Sequence, residues 1–304
     1  MDFAPFKDDS LARDPLYTCY KVDDYSLSYK IVFRTMKLNE YANQYENFRF
    51  ERTEDGVLTI TLHSNGGDLV WGMKPDAALG KVYLDIANDP ENKVIILTGA
   101  GDTFIHYEDL KSETTIPPSV WGSYVLPFAL GLIHNQLEID IPMIAAVNGP
   151  ATVHAEQALL CDIVLASDTA AFGDQPHFPN GLVPGDGVQV IWPMLIGMNR
   201  ARYLMYTGQI LDAHEAKNLG LVSEVLPRDA LLPRAHEIAR QLLQTPELTR
   251  RLSRRAFNAV IKQQLANTLP YGLALEGLGA AHYWPRTFKE AKLPPSAQLP
   301  PRGQ

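Results

Sequence analysis

IPMIAAVNGPATVHAEQALLCDIVLAS, residues 141–167, reads as strand, stop, short helix and strand in that order. Met143 to Val147 is a continuous apolar run, the pattern of a strand covered on both faces. Asn148-Gly149-Pro150 ends it abruptly. A short helix is expected near Glu156 to Cys161, then a second buried strand at Ile163 to Ala166.

The alternation continues outward in both directions, which makes the chain α/β. Upstream, Val94 to Thr98 is another apolar strand ending at Gly99, and a helix carries Leu79, Val82, Tyr83 and Ile86 on one face. Phe48 to Arg52 and Val57 to Leu62, separated by Glu54-Asp55-Gly56, predict a hairpin. A helix over roughly 119–137 leads into the quoted stretch. Downstream, Asp212 and Glu215 form a capping box before a helix that stops at Gly220. Leu231, Leu232, Ala235, Ile238, Ala239, Leu242 and Leu243 fall on one face of the next helix. Thr245-Pro246 opens a further helix bearing Arg250, Arg251, Arg254 and Arg255, expected to be a solvated, salt-bridged face. Asp85, Asp89 and Glu91 read as a solvated helix end. Residues 1–44 predict an extension that drapes over the body or stays mobile, 45–227 the α/β core, 228–293 a helical region and 294–304 a flexible tail.

The chain has 304 residues, 46% of them hydrophobic and 20% charged, enough to bury a sizeable core. A net charge of −8 argues against non-specific binding to nucleic acid or anionic membranes, which needs a positive face. Cys19 and Cys161 are too few for a disulfide framework or a zinc cluster. The N-terminus lacks the basic start and apolar run of a signal peptide, and no apolar stretch is long enough to span a bilayer. A soluble, cytoplasmic protein is expected.

The segment 172–187, FGDQPHFPNGLVPGDG, holds three prolines and four glycines around His177, with Asp174 and Asp186 nearby. Such a loop has its shape fixed by proline and glycine dihedrals, and ordered loops bearing an ionisable residue favour catalysis. One reading makes His177 a general base, with Asp186 orienting its ring and stabilising the imidazolium. The other has the histidine satisfied by backbone groups and the acids capping turns. His154 and Glu156 lie just past a strand end, where α/β proteins build binding sites. His154 could donate to a developing oxyanion, or simply begin the short helix and face solvent. No HxxxH or HExxH spacing points to zinc, and GxGxxG, GxxxxGK[ST] and GxSxG are all absent.

From about Tyr45 to about Leu278 the chain resembles the crotonase (enoyl-CoA hydratase/isomerase) superfamily. KVIILTGAGDTF (93–104), IPMIAAVNGPA (141–151), CDIVLASDTAAFG (161–173), GLVPGDG (181–187) and MNRARYLMYTGQILDAHEAKNLGLVSEVLP (198–227) carry the resemblance. It implies a spiral of ββα units as the core, then a C-terminal helical trimerisation region, giving a homotrimer or a dimer of trimers. Three departures stand out. Thr103 to Asp109 puts bulk where CoA-using members carry small residues, Val153-His154-Ala155 replaces a glycine of the oxyanion hole, and His177 replaces a glutamate.

This pattern is similar to the β-diketone hydrolase branch, which includes the 6-oxocamphor hydrolases. That resemblance implies retro-Claisen cleavage of a carbon–carbon bond in a cyclic or bicyclic β-diketone, giving a keto acid. It assigns His177 as base on water with Asp186 as its partner. Trp71 and His154 would donate to the substrate carbonyl, and Glu276 would help hold the water. No metal or organic cofactor is expected. The alternatives are a CoA-dependent hydratase, isomerase or thioester hydrolase using Glu156, and a non-catalytic scaffold.

Overall fold

The computed structural model describes residues 35–109 and 116–284. Cys19, most of the 1–44 extension and the whole 294–304 tail lie outside the described residues.

The apolar runs assemble into one sheet. β1 (Phe48–Arg52) and β2 (Val57–Leu62) form the predicted hairpin, paired antiparallel from Phe48↔Leu62 to Arg52↔Leu58. The short β3 (Val70–Trp71) leaves the sheet to pair in parallel with β5 (Tyr107–Glu108). β4 (Val94–Gly99), β6 (Met143–Val147) and β7 (Ile163–Ser167) return to it. β8 (Ala171–Phe172) and β9 (Leu211–Asp212) make a separate antiparallel ribbon, and β10 (Glu224–Leu226) closes the sheet edge. The main sheet has six strands in the order β1-β2-β4-β6-β7-β10, parallel from β2 onward.

Helices cover both faces, which is why the central strands are apolar throughout. Successive residues of β4 show it. Ile95 and Leu97 join the larger core, which includes buried residues of α2 (Met73–Ala87) and α4 (Leu126–Glu138). Val94 and Ile96 join a second core with Leu231, Ala235, Ile238 and Ala239 of α9 (Arg228–Leu243). The chain is thus an α/β structure with a mixed sheet and C-terminal helices, as the resemblance implied.

Smaller helices complete the connections. α1 (Leu38–Tyr41) belongs to the end of the extension and inserts a fully buried Tyr41 into the larger core. α5 (Glu156–Leu159), α6 (Val188–Ile196) and α7 (Met198–Thr207) follow β6 in chain order, with α6 packed on both α5 and α7. α8 (Ala213–Asn218) starts with the predicted capping box, Asp212 accepting from Glu215 N–H and Glu215 from Asp212 N–H. α10 (Glu247–Tyr283) is the long final helix.

Several local expectations are corrected. The helix foreseen over 119–137 is broken into α3 (Pro118–Val120), a π-helical turn at Trp121–Val125 and α4. Pro127 has no N–H to return to Ser123, so the regular ladder cannot run through. Arg250 and Arg254 are buried rather than solvated, because α10 packs that face on the core. Arg254 donates to the Ile139 and Gln136 carbonyls and pairs with Asp162, while Arg251 and Arg255 share Asp140. Asp89 is also buried, accepting from Tyr41 and Arg52. Leu232 points outward from α9.

Candidate active site

The site lies beyond the C-terminal ends of the parallel strands, where their connections open a crevice. Trp71 enters it from β3, and His154 from the turn between β6 and α5. His177 and Asp186 come from the proline- and glycine-rich loop, and Glu276 from α10. All five residues singled out in the sequence line one cleft of about 770 Å³, including its open mouth.

The loop is held in shape by backbone bonds around His177, whose carbonyl accepts from both Asn180 and Leu182. Close packing on α10 brings it to Glu276. A Cβ on Gly272 would run into Gln189 Nε2 and the Gly185 carbonyl, and one on Gly185 would meet Gly272. Gly277, one residue past Glu276, lies against the indole of Trp121, whose Nε1 donates to the Leu273 carbonyl at 2.9 Å. The glycines therefore let the helix approach closely enough for a carboxylate to reach the histidine.

The orientation of His177 differs from expectation. Its Nδ1 faces Asp174 Oδ1 at 2.6 Å, so Asp174 holds the ring, and Asp186 does not. Nε2 looks into the cleft, with Glu276 Oε1 at 3.6 Å and Asp186 Oδ2 at 3.7 Å. Those separations are too long for direct hydrogen bonds and suit a water shared between the groups. The three-residue spacing of Asp174 and His177 was the available signal, but both carboxylates flank the histidine and only the fold decides between them.

Asp186 instead sits between the two imidazoles. The same Oδ2 lies 3.3 Å from His154 Nδ1. That nitrogen also meets Glu156 Oε1 at 2.7 Å, and the ring packs against Trp71 with centroids 4.5 Å apart and planes tilted by 40°. His154 has φ of 47°, the left-handed region that favours glycine. A side chain therefore stands here on a backbone that glycine adopts freely, at about 1 kcal/mol of local strain.

Four buried carboxylates, Asp174, Glu156, Asp186 and Glu276, surround the buried imidazole of His177 and the partly exposed one of His154. Burial opposes a charge on His154, but Glu156 and Asp186 outweigh it and raise its pKa to about 10. Burial likewise opposes charge on His177, and Asp174 with Asp186 overcomes it, leaving the ring well above its ordinary range. Burial pushes Glu276 up to about 7 against the pull of His177, and Asp186 is raised for the same reason.

His154, Glu156 and Asp186 bring one ligand atom each within 4.8 Å of one another. The nitrogen a cation would need is already bonded to Glu156, so a proton on Nδ1 satisfies the cluster. The opposite wall is apolar, with Ile116, Trp121, Val125, Leu182 and Leu273. Bulk at 103–109 does not itself narrow the cleft. Phe104 and Ile105 are fully buried in the core, and Glu108 is the residue of that stretch that lines the cleft.

The family model for enoyl-CoA hydratase/isomerase matches residues 52–276. A carnitinyl-CoA dehydratase from Citrobacter koseri is 32% identical, over 67% of this chain and 77% of the relative. A probable enoyl-CoA hydratase from Mycobacterium tuberculosis is 32% identical, over 75% of this chain and 87% of the relative. Among solved structures, a β-diketone hydrolase from the cyanobacterium Anabaena sp. PCC 7120, bound to (S)-3-oxocyclohexyl acetic acid, is 40% identical with a TM-score of 0.78. It covers 80% of this chain and 97% of its own.

Proposed function

This chain belongs to the enoyl-CoA hydratase/isomerase family, and we propose that it hydrolyses a carbon–carbon bond in a cyclic β-diketone to give a keto acid. The observation that carries this reading is the pair of imidazoles opening on one cleft, each with its own buried carboxylate behind it. Likeness to the cyanobacterial β-diketone hydrolase supports it.

The reaction divides between the two histidines. Asp174 holds the proton on His177 Nδ1, so the ring takes a proton from water at Nε2 in its neutral form, which, with the pKa raised, becomes more populated as pH rises. Glu276 shares that water and aims it at one carbonyl carbon. Hydroxide adds, and the tetrahedral intermediate re-forms its C=O as a carboxyl group while the bond to the neighbouring carbon breaks. The released electron pair becomes an enolate, with its charge on the second carbonyl oxygen. His154 and Trp71 supply N–H donors there. The proton taken from water then returns to carbon, so one water is consumed and a keto acid leaves. No step calls for a metal or an organic cofactor.

The second reading, a CoA-dependent hydratase, has the names of the curated relatives in its favour. Against it stands Glu156, which is fully buried and bonded to His154 rather than open to a substrate. The test is loss of absorbance of a non-enolisable bicyclic β-diketone, run beside crotonyl-CoA, for wild type and His177→Ala. Acid release by the wild type that disappears in the variant is expected. Turnover of crotonyl-CoA alone, or no acid from any diketone, overturns the proposal. By family resemblance the working form is a homotrimer or a dimer of trimers, which sedimentation would decide.

A further inference from the structure

The mechanism uses one nitrogen of His154 and leaves the other, together with the glutamate that meets it, unexplained. Glu156 is fully buried, its Oε1 lies 2.7 Å from His154 Nδ1, and its Oε2 has no hydrogen-bond partner. Asp186 Oδ2 approaches the same nitrogen at 3.3 Å. Two acceptors converging on Nδ1 require a proton there. A neutral imidazole with its hydrogen on Nδ1 has a bare lone pair on Nε2 and can only accept from the cleft. For Nε2 to donate to a substrate oxygen, the ring must carry both protons.

The geometry points to Glu156 as the positioning residue that keeps His154 doubly protonated, so that an imidazolium meets the oxygen on which charge develops. The identity of that oxygen rests on the hydrolase reading; the charge state of the ring does not. The other groups around it have the same effect. Asp186 and Asp76 both favour the cation, Trp71 covers one face of the ring, and the remaining imidazole, His177, lies beyond Asp186. Glu108 adds a further carboxyl to the cleft wall. A pKa raised to about 10 agrees with this arrangement. The negative charge of Glu156, beyond its hydrogen bond, is what the inference requires, so glutamine should not substitute for it.

The experiment is a pH series of imidazole ¹⁵N spectra on the full chain, with His154 assigned from the resonance missing in His154→Asn. In the wild type both nitrogens should stay protonated from pH 6 to 9, whereas in Glu156→Gln the ring should titrate within that range. On a diketone, kcat of Glu156→Gln should fall about 10- to 100-fold at pH 8 and much less at pH 6. Glu156→Asp should restore most of both signals. A singly protonated His154 in the wild type across the range overturns the inference, as does an unchanged spectrum in Glu156→Gln. If that variant does not fold, a singly protonated ring in Glu156→Asp overturns it equally. The spectra need no substrate, so a protein that cleaves no diketone but shows the imidazolium refutes the functional reading alone.

Discussion

Gly277→Ala sets two effects of opposite sign against each other. Within a helix, alanine is favoured over glycine by about 1 kcal/mol, so intrinsic propensity says the change stabilises α10. The new Cβ would run into Nε1, Cδ1 and Cε2 of Trp121. That ring is 9% exposed and tied to the Leu273 carbonyl, so it must shift to make room. Losing the hydrogen bond costs about 0.5–1.5 kcal/mol and overpacking about 1–3 kcal/mol. Packing wins, and the net loss should be about 1–3 kcal/mol. Gly279, two residues on in the same helix, is the control. A Cβ there finds its nearest neighbour at 3.7 Å, an ordinary contact, so Gly279→Ala should gain up to about 1 kcal/mol. Thermal midpoints measured side by side read the difference, at about 2–4 °C per kcal/mol for a chain of this order of size. Shifts of the same sign would refute the argument that Gly277 exists to seat Trp121.

Further outcomes follow from the charges. Diketone hydrolysis should rise through about pH 7, where Glu276 gives up its proton, and keep rising because His177 holds its own proton above the ordinary range. It should fall near pH 10 as His154 loses its second proton; a rate that is flat from pH 7 to 9 contradicts this assignment. Asp174→Asn should lower kcat about 10- to 100-fold with little change in KM, since it removes a charged hydrogen bond worth about 1.5–3 kcal/mol behind the base. Steady-state kinetics at matched pH check it. Arg254→Ala should cost about 2–4 kcal/mol, mainly by leaving the Ile139 and Gln136 carbonyls without their donor, since the Asp162 carboxylate is partly exposed and keeps its bond from Met143 N–H; a larger drop in thermal midpoint than for Arg255→Ala is the readout.

The sheet was legible because its central strands are covered on both faces and so stay apolar at every position from Val94 to Leu97 and from Met143 to Val147. His177 was legible because prolines and glycines crowd it. The partner of each imidazole nitrogen was not. Asp174 and Asp186 both lie within ten residues of His177, and sequence distance carries no information on which side of a ring a carboxylate arrives. Arg250 and Arg254 read as part of a solvated face because four neighbouring arginines resemble one, although a spacing of four puts these two on a single stripe. Trp121 escaped notice because the helix containing it is regular in pattern and irregular in fact, through a missing N–H at Pro127.

The left-handed backbone at His154 has a consequence for how this site can change over generations. His154→Gly would relax about 1 kcal/mol of strain, yet it would leave Glu156 buried with no imidazole against Oε1, at about 3–5 kcal/mol. Removing the Glu156 charge first leaves His154 strained and poorly held. Each single step is worse than either end, so positions 154 and 156 form an epistatic pair whose substitutions are tolerated together and rejected apart. A library varying both positions at once should recover combinations that scanning either one alone would miss.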